Sequence, residues 1–157
     1  MMPVDLDIQY AVSDQSLLPD EKQLITWVEK VLQGDAAHLG VRIVDEAESQ
    51  NLNFEYRGKD KPTNVLSFPM SLPEEIGDDF LGDLVVCASI VAREAEEQHK
   101  TTEAHWAHMV IHGVLHLLGY DHVSDDQAEV MESLEVKYLE ELGFENPYIL
   151  KHERPNE

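Results

Sequence analysis

The most informative part of this sequence is the stretch EAHWAHMVIHGVLHLLGYDH at residues 103–122. From Glu103 to Leu118 the residues are mainly apolar and include no proline, which predicts a largely buried helix. Gly119 follows at a position where helices often end in a residue of positive φ. The histidines at positions 105, 108, 112 and 116 lie within about 80° of one another, because each helical residue advances by about 100°. The stretch therefore predicts a buried helix with a histidine face, followed by a turn.

The spacing of His112 and His116 is typical of metal ligands, because two histidines four residues apart on a helix can bind the same ion. His108 lies about 12 Å from His116 along the helix axis, so 108, 112 and 116 cannot all bind that ion. A chain that folds back at Gly119 brings His122 towards the pair. Three neutral histidines leave a fourth position for water or substrate, as in catalytic zinc sites. We therefore expect one Zn2+ ion per chain on His112, His116 and His122. The alternative is a polar helix face that binds no metal.

Apolar periodicity divides the rest of the chain into strands and helices. Alternating residues predict strands at 4–12 and 39–43, and apolar runs predict two more at 64–68 and 84–88. Residues 69–82 carry turn formers and acidic residues without a period, which predicts a mobile surface loop. No repeat or linker interrupts the sequence, so we expect one α+β domain over residues 1–157, with a small mixed sheet covered by helices. The other helical patterns lie between Pro19 and Gly34, after Asp45, from Ser89 to about His99 and from Ser124 to Gly143, with capping boxes expected at Asp45–Glu48 and Ser124–Gln127.

The composition limits the classes of protein to which this chain can belong. It has 157 residues, 43% of them hydrophobic, and 11 Lys+Arg against 32 Asp+Glu, which gives a net charge of −21. Such a surface repels nucleic-acid phosphates and anionic lipids, so any contact with a nucleic acid must be local. No apolar run approaches the roughly 20 residues that span a bilayer, and the N-terminus lacks the pattern of a signal peptide. We expect a cytoplasmic protein that binds no membrane, in which the single cysteine, Cys87, is buried and reduced.

Residues 112–122 resemble the H-G-x-L-H-L-x-G-Y-D-H signature of the YbeY family, which are bacterial rRNA maturation factors and metallo-endoribonucleases. The resemblance continues at residues 56–69, 81–84 and 103–108. It implies a four-stranded mixed sheet, a zinc ion on the histidines at 112, 116 and 122, and a functionally important arginine at Arg57. The metal helix is also similar to the zincin helix of zinc metalloproteases. However, Gly113 stands where those enzymes carry the glutamate that acts as general base, which disfavours a peptidase.

The basic segment that begins at Arg57 complements the histidines. Cleavage of a phosphodiester needs a Lewis acid, an activated nucleophile and positive charge near the phosphate. Zinc and Arg57 supply such a set if the fold brings them together, and Lys59 and Lys61 are candidate RNA contacts. The alternative is that this segment is a solvated loop. Asp121 and Asp83 are the candidates for proton transfer.

With the ion bound to His112 and His116, His105 and His108 have no partner at ligand distance. We expect each of them to lie on the helix surface or to form a hydrogen bond with a neighbouring side chain. A role beside the metal ligands, or in contact with RNA, is the alternative.

The charge of the chain also predicts the form of the substrate. A cleft that is positive only around Arg57 can contact few phosphates, and a rigid duplex would bring its other phosphates against an acidic surface. We therefore expect single-stranded RNA as the substrate, and the resemblance implies rRNA rather than DNA. It further implies 3′-end processing of small-subunit rRNA and ribosome quality control, with the small ribosomal subunit, a small-subunit ribosomal protein and a ribosome-assembly GTPase as partners. The main alternative is a zinc-binding ribosome assembly factor with no catalysis of its own.

Overall fold

Four strands and five helices make up the described part of the chain, residues 4–69 and 80–148 of the computed structural model. The sheet has the order β1-β2-β4-β3. β1, β2 and β4 run parallel, and β3 pairs antiparallel with β4. The α+β domain with a small four-stranded mixed sheet, predicted from the sequence, is confirmed. In chain order the elements are β1 (Val4–Ala11), α1 (Glu21–Leu32), β2 (Ala37–Val44), α2 (Glu46–Arg57), β3 (Val65–Pro69), β4 (Phe80–Cys87), α3 (Ala88–Glu97), α4 (Thr102–Leu117) and α5 (Asp125–Glu141).

The two faces of the sheet bury clusters of different size. Successive residues of β4 point to opposite faces, and they belong to different clusters. Leu84 lies in the main core, which also contains the apolar residues of α1 and α4. Val85 lies in a smaller cluster, against which Leu52 of α2 packs. The helix with the histidine face therefore covers one face of the sheet, while α2 lies on the other.

The start of β4 differs from the prediction. The strand begins at Phe80 rather than at Leu84, because Phe80 pairs with His38 of β2 and Gly82 pairs with Pro69 at the end of β3. Gly82 has a φ of 136°, and a Cβ there would lie 2.2 Å from the carbonyl oxygen of Phe68. Gly82 was predicted as the end of the surface loop, but it lies in the strand, where the glycine permits close strand pairing. The rest of the predicted mobile loop, residues 70–79, lies outside the described residues.

The helix caps were predicted with mixed success. The capping box of Ser124 and Gln127 is present at the start of α5, as predicted. The capping box at Asp45 is wrong: Asp45 precedes α2, but its side chain makes no capping hydrogen bond. Its carboxylate instead accepts hydrogen bonds from the backbone and hydroxyl of Ser13, each at 3.3 Å. A tertiary contact has therefore replaced the local one.

The prediction of a buried cysteine agrees with the structure. Cys87, at the end of β4, is a buried free cysteine. Among the described helices, none is long and apolar enough to cross a membrane.

Candidate metal centre

The structure brings together the three histidines that the sequence predicted as metal ligands. One ring nitrogen from each of His112, His116 and His122 lies within 4.8 Å of the other two. The Nε2 atoms of His112 and His116 are 3.1 Å apart. The ring centroid of His122 lies 5.6 Å from that of His112 and 5.0 Å from that of His116. His108 is not part of this group, in agreement with the argument from its axial distance.

The turn that positions His122 is built by the last residues of α4. Gly119 adopts a φ of 103°, which favours glycine. Its backbone N–H donates to His116 O, and the N–H of Tyr120 donates to Leu115 O, both at 3.0 Å. These two bonds satisfy carbonyl groups at the helix end and reverse the chain. The carboxylate of Asp121 then accepts a hydrogen bond from the backbone N–H of His122 at 2.8 Å.

The donor set fits a zinc ion. Two ligands of a tetrahedral zinc ion at about 2.0–2.1 Å are about 3.3 Å apart, close to the 3.1 Å between His112 and His116. The pKa of His116 is lowered, first by burial and then by the neighbouring rings of His112 and His122. A lowered pKa favours the neutral imidazole that binds a metal. His112 and His116 are half-buried and His122 is exposed, so the group faces solvent on one side, as a catalytic site requires.

Glu135 of α5 supports the group from behind, and sequence reasoning missed it. This side chain is only 1% exposed. One of its oxygens accepts a hydrogen bond from Nδ1 of His112 and the other accepts one from Nε2 of His108, both at 2.7 Å. The hydroxyl of Tyr148 also donates to this carboxylate. A histidine ligand whose second nitrogen donates to a carboxylate has a fixed ring orientation and tautomer.

The charge of Glu135 decides that tautomer. Burial alone would raise the pKa of this carboxyl, but hydrogen bonds from His108 and His112 outweigh it, and the pKa lies well below its usual range. An ionised carboxylate can only accept hydrogen bonds, so Nδ1 of His112 carries the proton. Nε2 of His112 is therefore left with a lone pair directed towards His116. Glu135 lies on the buried face of α5 with Met131, Tyr138 and Leu139, and a charged residue on that face was the signal that could have revealed it.

The predictions for His105 and His108 are partly right. Both side chains are buried rather than on the helix surface, and the other form of the prediction, a hydrogen bond with a neighbouring side chain, is confirmed for both. Each forms the alternative hydrogen bond with a neighbouring carboxylate: His105 pairs with Glu94 at 2.8 Å and His108 pairs with Glu135. His108 therefore lies beside the metal ligands, connected to His112 through one carboxylate.

A cleft of about 900 Å³ opens in front of the three histidines. It runs along the edge strand β3, between the C-terminal half of α4 and the end of α2. Arg57, the last residue of α2, is exposed and lines this cleft together with the histidines and Asp121. The fold has thus brought the predicted arginine to the predicted metal site.

Comparison with known proteins identifies the family. Residues 8–143 match the family model described as Endoribonuclease YbeY. The chain belongs to this family. It is also similar to a solved structure, the solution structure of TM1509 from Thermotoga maritima, with 29% identity and a TM-score of 0.57, and the match covers 96% of this chain and 99% of that one. Membership in the YbeY family makes RNA the substrate class and hydrolytic cleavage of RNA the activity.

The other predicted site residues of this YbeY-family chain lie in different parts of the fold. Lys59 and Lys61 are exposed in the segment after α2, but neither is among the described residues that line the histidine cleft. Asp83 lies on the opposite face of the sheet, in a separate cavity of about 450 Å³ that also contains Arg42 and Glu48. Of the two aspartates considered for proton transfer, only Asp121 is therefore beside the histidines.

The position of Gly113 gives a structural reason against peptidase chemistry in this YbeY protein. A Cβ at Gly113 would lie 2.7 Å from a methyl carbon of Leu84, and the hydroxyl of Ser67 donates to Gly113 O at 3.3 Å. This position faces the sheet rather than the cleft. The glutamate that metalloproteases carry here could not reach the metal without separating α4 from β4.

Proposed function

We propose that this YbeY-family protein is a zinc-dependent endoribonuclease that cuts single-stranded RNA in the histidine cleft. The observation that carries the proposal is that Arg57 and the three histidines line the same cleft. Neither group suffices alone, because phosphodiester cleavage needs both activation of the phosphate or nucleophile and stabilisation of the charge that develops.

Each residue of the cleft has a distinct role in this proposal. His112, His116 and His122 hold the ion, and Glu135 holds the ring of His112 in position. A bound zinc ion supplies a Lewis acid for a phosphate oxygen. Arg57 binds the phosphate, because a guanidinium can contact two of its oxygens at once and stays charged at every working pH. Asp121 is the residue placed to transfer a proton.

The acidic surface supports a single-stranded substrate. With a net charge of −21, the protein attracts phosphate only locally, around Arg57, Lys59 and Lys61. A flexible strand can enter the cleft while the rest of the chain stays away from acidic residues, which a rigid duplex cannot do. The two lysines do not line the cleft, and in this proposal they contact phosphates of the strand outside it.

The biological setting of the proposal follows from the family. We place the activity in the cytoplasm, in maturation of the 3′ end of small-subunit rRNA and in ribosome quality control. The partners would be the small ribosomal subunit, a small-subunit ribosomal protein and a ribosome-assembly GTPase. The isolated protein has few charged contacts for RNA, so a partner that presents the strand would supply the specificity.

The deciding experiment is single-turnover cleavage of one labelled RNA, as a single strand and as a perfect duplex. Zinc-loaded protein should cut the single strand, and metal-free protein should not. Arg57→Ala should retain zinc but lose on the order of 10²–10³ in rate, while Arg57→Lys should recover part of it, because lysine keeps the charge without the planar guanidinium. Arg93→Ala is the matched control, since Arg93 is an exposed arginine of α3 outside the cleft. Wild-type cleavage by Arg57→Ala would overturn the assigned role, and absence of cleavage with zinc bound would favour an assembly factor.

A further inference from the structure

The histidine cleft also contains exposed aromatic rings. Tyr56 is 60% exposed and Tyr120 is 40% exposed, and both line the cleft. Tyr56 precedes Arg57 at the end of α2, and Tyr120 belongs to the turn between α4 and His122. Two large rings are therefore presented to solvent beside the residues that we assign to the scissile phosphate.

The fold holds the ring of Tyr56 and the backbone of Tyr120. The ring of Tyr56 packs edge-on against Phe68 of β3, with centroids 5.1 Å apart and an interplanar angle of 71°. Phe68 in turn packs on the smaller hydrophobic cluster of the sheet. Tyr120 is anchored through its backbone, whose N–H donates to Leu115 O in the turn that ends α4. A ring that is already positioned loses little entropy when it binds a flat ligand.

The charge of the protein requires a binding contribution other than ion pairing. Proteins that bind single strands combine phosphate contacts with stacking of bases on aromatic side chains. Here the chain has 32 acidic and 11 basic residues, so few phosphates can be neutralised. Stacking is independent of that charge, and it is available only to bases that are not already stacked within a duplex.

We propose that Tyr56 and Tyr120 are stacking sites for unpaired bases that flank the phosphate held at Arg57 and the three histidines. This inference rests on the proposed cleavage of single-stranded RNA, and it adds that the strand is recognised through the faces of its bases. Because every base has such a face, the cleft discriminates paired from unpaired RNA with little selectivity for sequence.

The test compares two strands that carry the same phosphates. One is an oligoadenylate of about eight nucleotides, a length within the usual site sizes, and the other is the same strand with abasic sugars. Affinities are measured with the full chain in the presence of a chelator, so that the strand is not cut. Tyr56→Ala and Tyr120→Ala should each weaken binding of the oligoadenylate at least about fivefold and leave the abasic strand unchanged.

Matched variants separate stacking from other effects. Tyr56→Phe and Tyr120→Phe keep the ring and should bind as wild type. Phe54→Ala removes an aromatic side chain of the same helix that is 58% exposed but does not line the cleft, and it should have no effect. Wild-type affinity of both alanine variants for the oligoadenylate would overturn the proposal, and so would an equal loss for both strands.

The result of the binding measurement can be interpreted separately from that of the cleavage measurement. If the protein binds bases through the two tyrosines but cuts no RNA when loaded with zinc, the stacking sites stand and the proposed function fails. If it cuts single strands while its affinity does not depend on bases, the nuclease stands and the stacking sites fail.

Discussion

Replacing Glu135 by glutamine tests whether the buried carboxylate holds the metal site together. The substitution Glu135→Gln keeps the shape of the side chain but converts one of its two acceptor oxygens into an NH2 donor. In the native protein each oxygen accepts a hydrogen bond at 2.7 Å, one from His112 and one from His108. The single oxygen of glutamine can accept only one of these two bonds. Its NH2 group would therefore face the N–H of the other histidine, unless one ring changes tautomer or moves.

The size of the effect follows from the bond to His112, because only that bond reaches a metal ligand. A hydrogen bond to a charged group contributes about 1.5–3 kcal/mol. Loss of such a partner behind a metal-binding histidine typically lowers metal affinity by about 10- to 100-fold. We therefore expect Glu135→Gln to bind zinc about 10- to 100-fold more weakly than wild type.

The assay is competition for zinc with a chromophoric chelator, which yields a dissociation constant without any need for activity. Glu129→Gln is the control, since Glu129 is an exposed glutamate on the same helix. Circular dichroism of the metal-free proteins shows whether the fold is retained. A Glu135→Gln protein that folds and binds zinc with wild-type affinity would refute the assignment of Glu135 as the residue that positions His112.

Three further predictions concern the ligand set, the packing of α4 and acid stability. His122→Ala should lose bound zinc while His108→Ala keeps one ion per chain, as measured by elemental analysis, and the reverse result would contradict the assigned ligands. Gly113→Ala should lower the free energy of unfolding by up to about 2 kcal/mol, because overpacking against Leu84 outweighs the gain of about 1 kcal/mol in helix propensity. A denaturant titration in which this variant is more stable than wild type would contradict the prediction. Burial lowers the pKa values of His108 and His116 below the 6.5 of an unfolded histidine. As the pH falls, the unfolded chain therefore takes up protons before the folded protein does. The free energy of unfolding of the metal-free protein should be at its full value above pH 6.5 and should decrease as the pH falls through the lowered pKa values of the folded protein. A free energy of unfolding that does not change across that pH range would exclude this linkage.

Local pattern was enough to predict the elements and the three histidines. The positions of His112 and His116 depend on one helical turn, and that of His122 depends on a glycine turn three residues earlier. Such features need only backbone geometry. The same holds for the capping box at Ser124, because its hydrogen bonds join only Ser124 and Gln127 within the first turn of α5.

Contacts between distant elements could not be predicted in this way. Glu135 lies 23 residues from His112 in sequence, and only the packing of α5 on α4 brings them together. Asp45 has the sequence of a cap, but Ser13 competes for its carboxylate across the fold. Asp83 belongs to β4, a strand that α4 covers on one face, yet the period of two residues along β4 directs its side chain to the other face. In each case the position of the side chain depends on which surfaces of distant elements pack together.

The division of the three nitrogen donors between a helix and a turn has a consequence for how an ion enters and leaves. His112 and His116 are fixed on α4, which is buried along most of its length, whereas His122 is exposed beyond Gly119. A bound ion would be held by His112 and His116 on the helix and by His122 from the exposed turn. Exchange of such an ion would involve the exposed side of the group and would not need the core to open. A metal site of this kind would be loaded after the chain has folded, and its occupancy would follow the free-metal concentration around the protein.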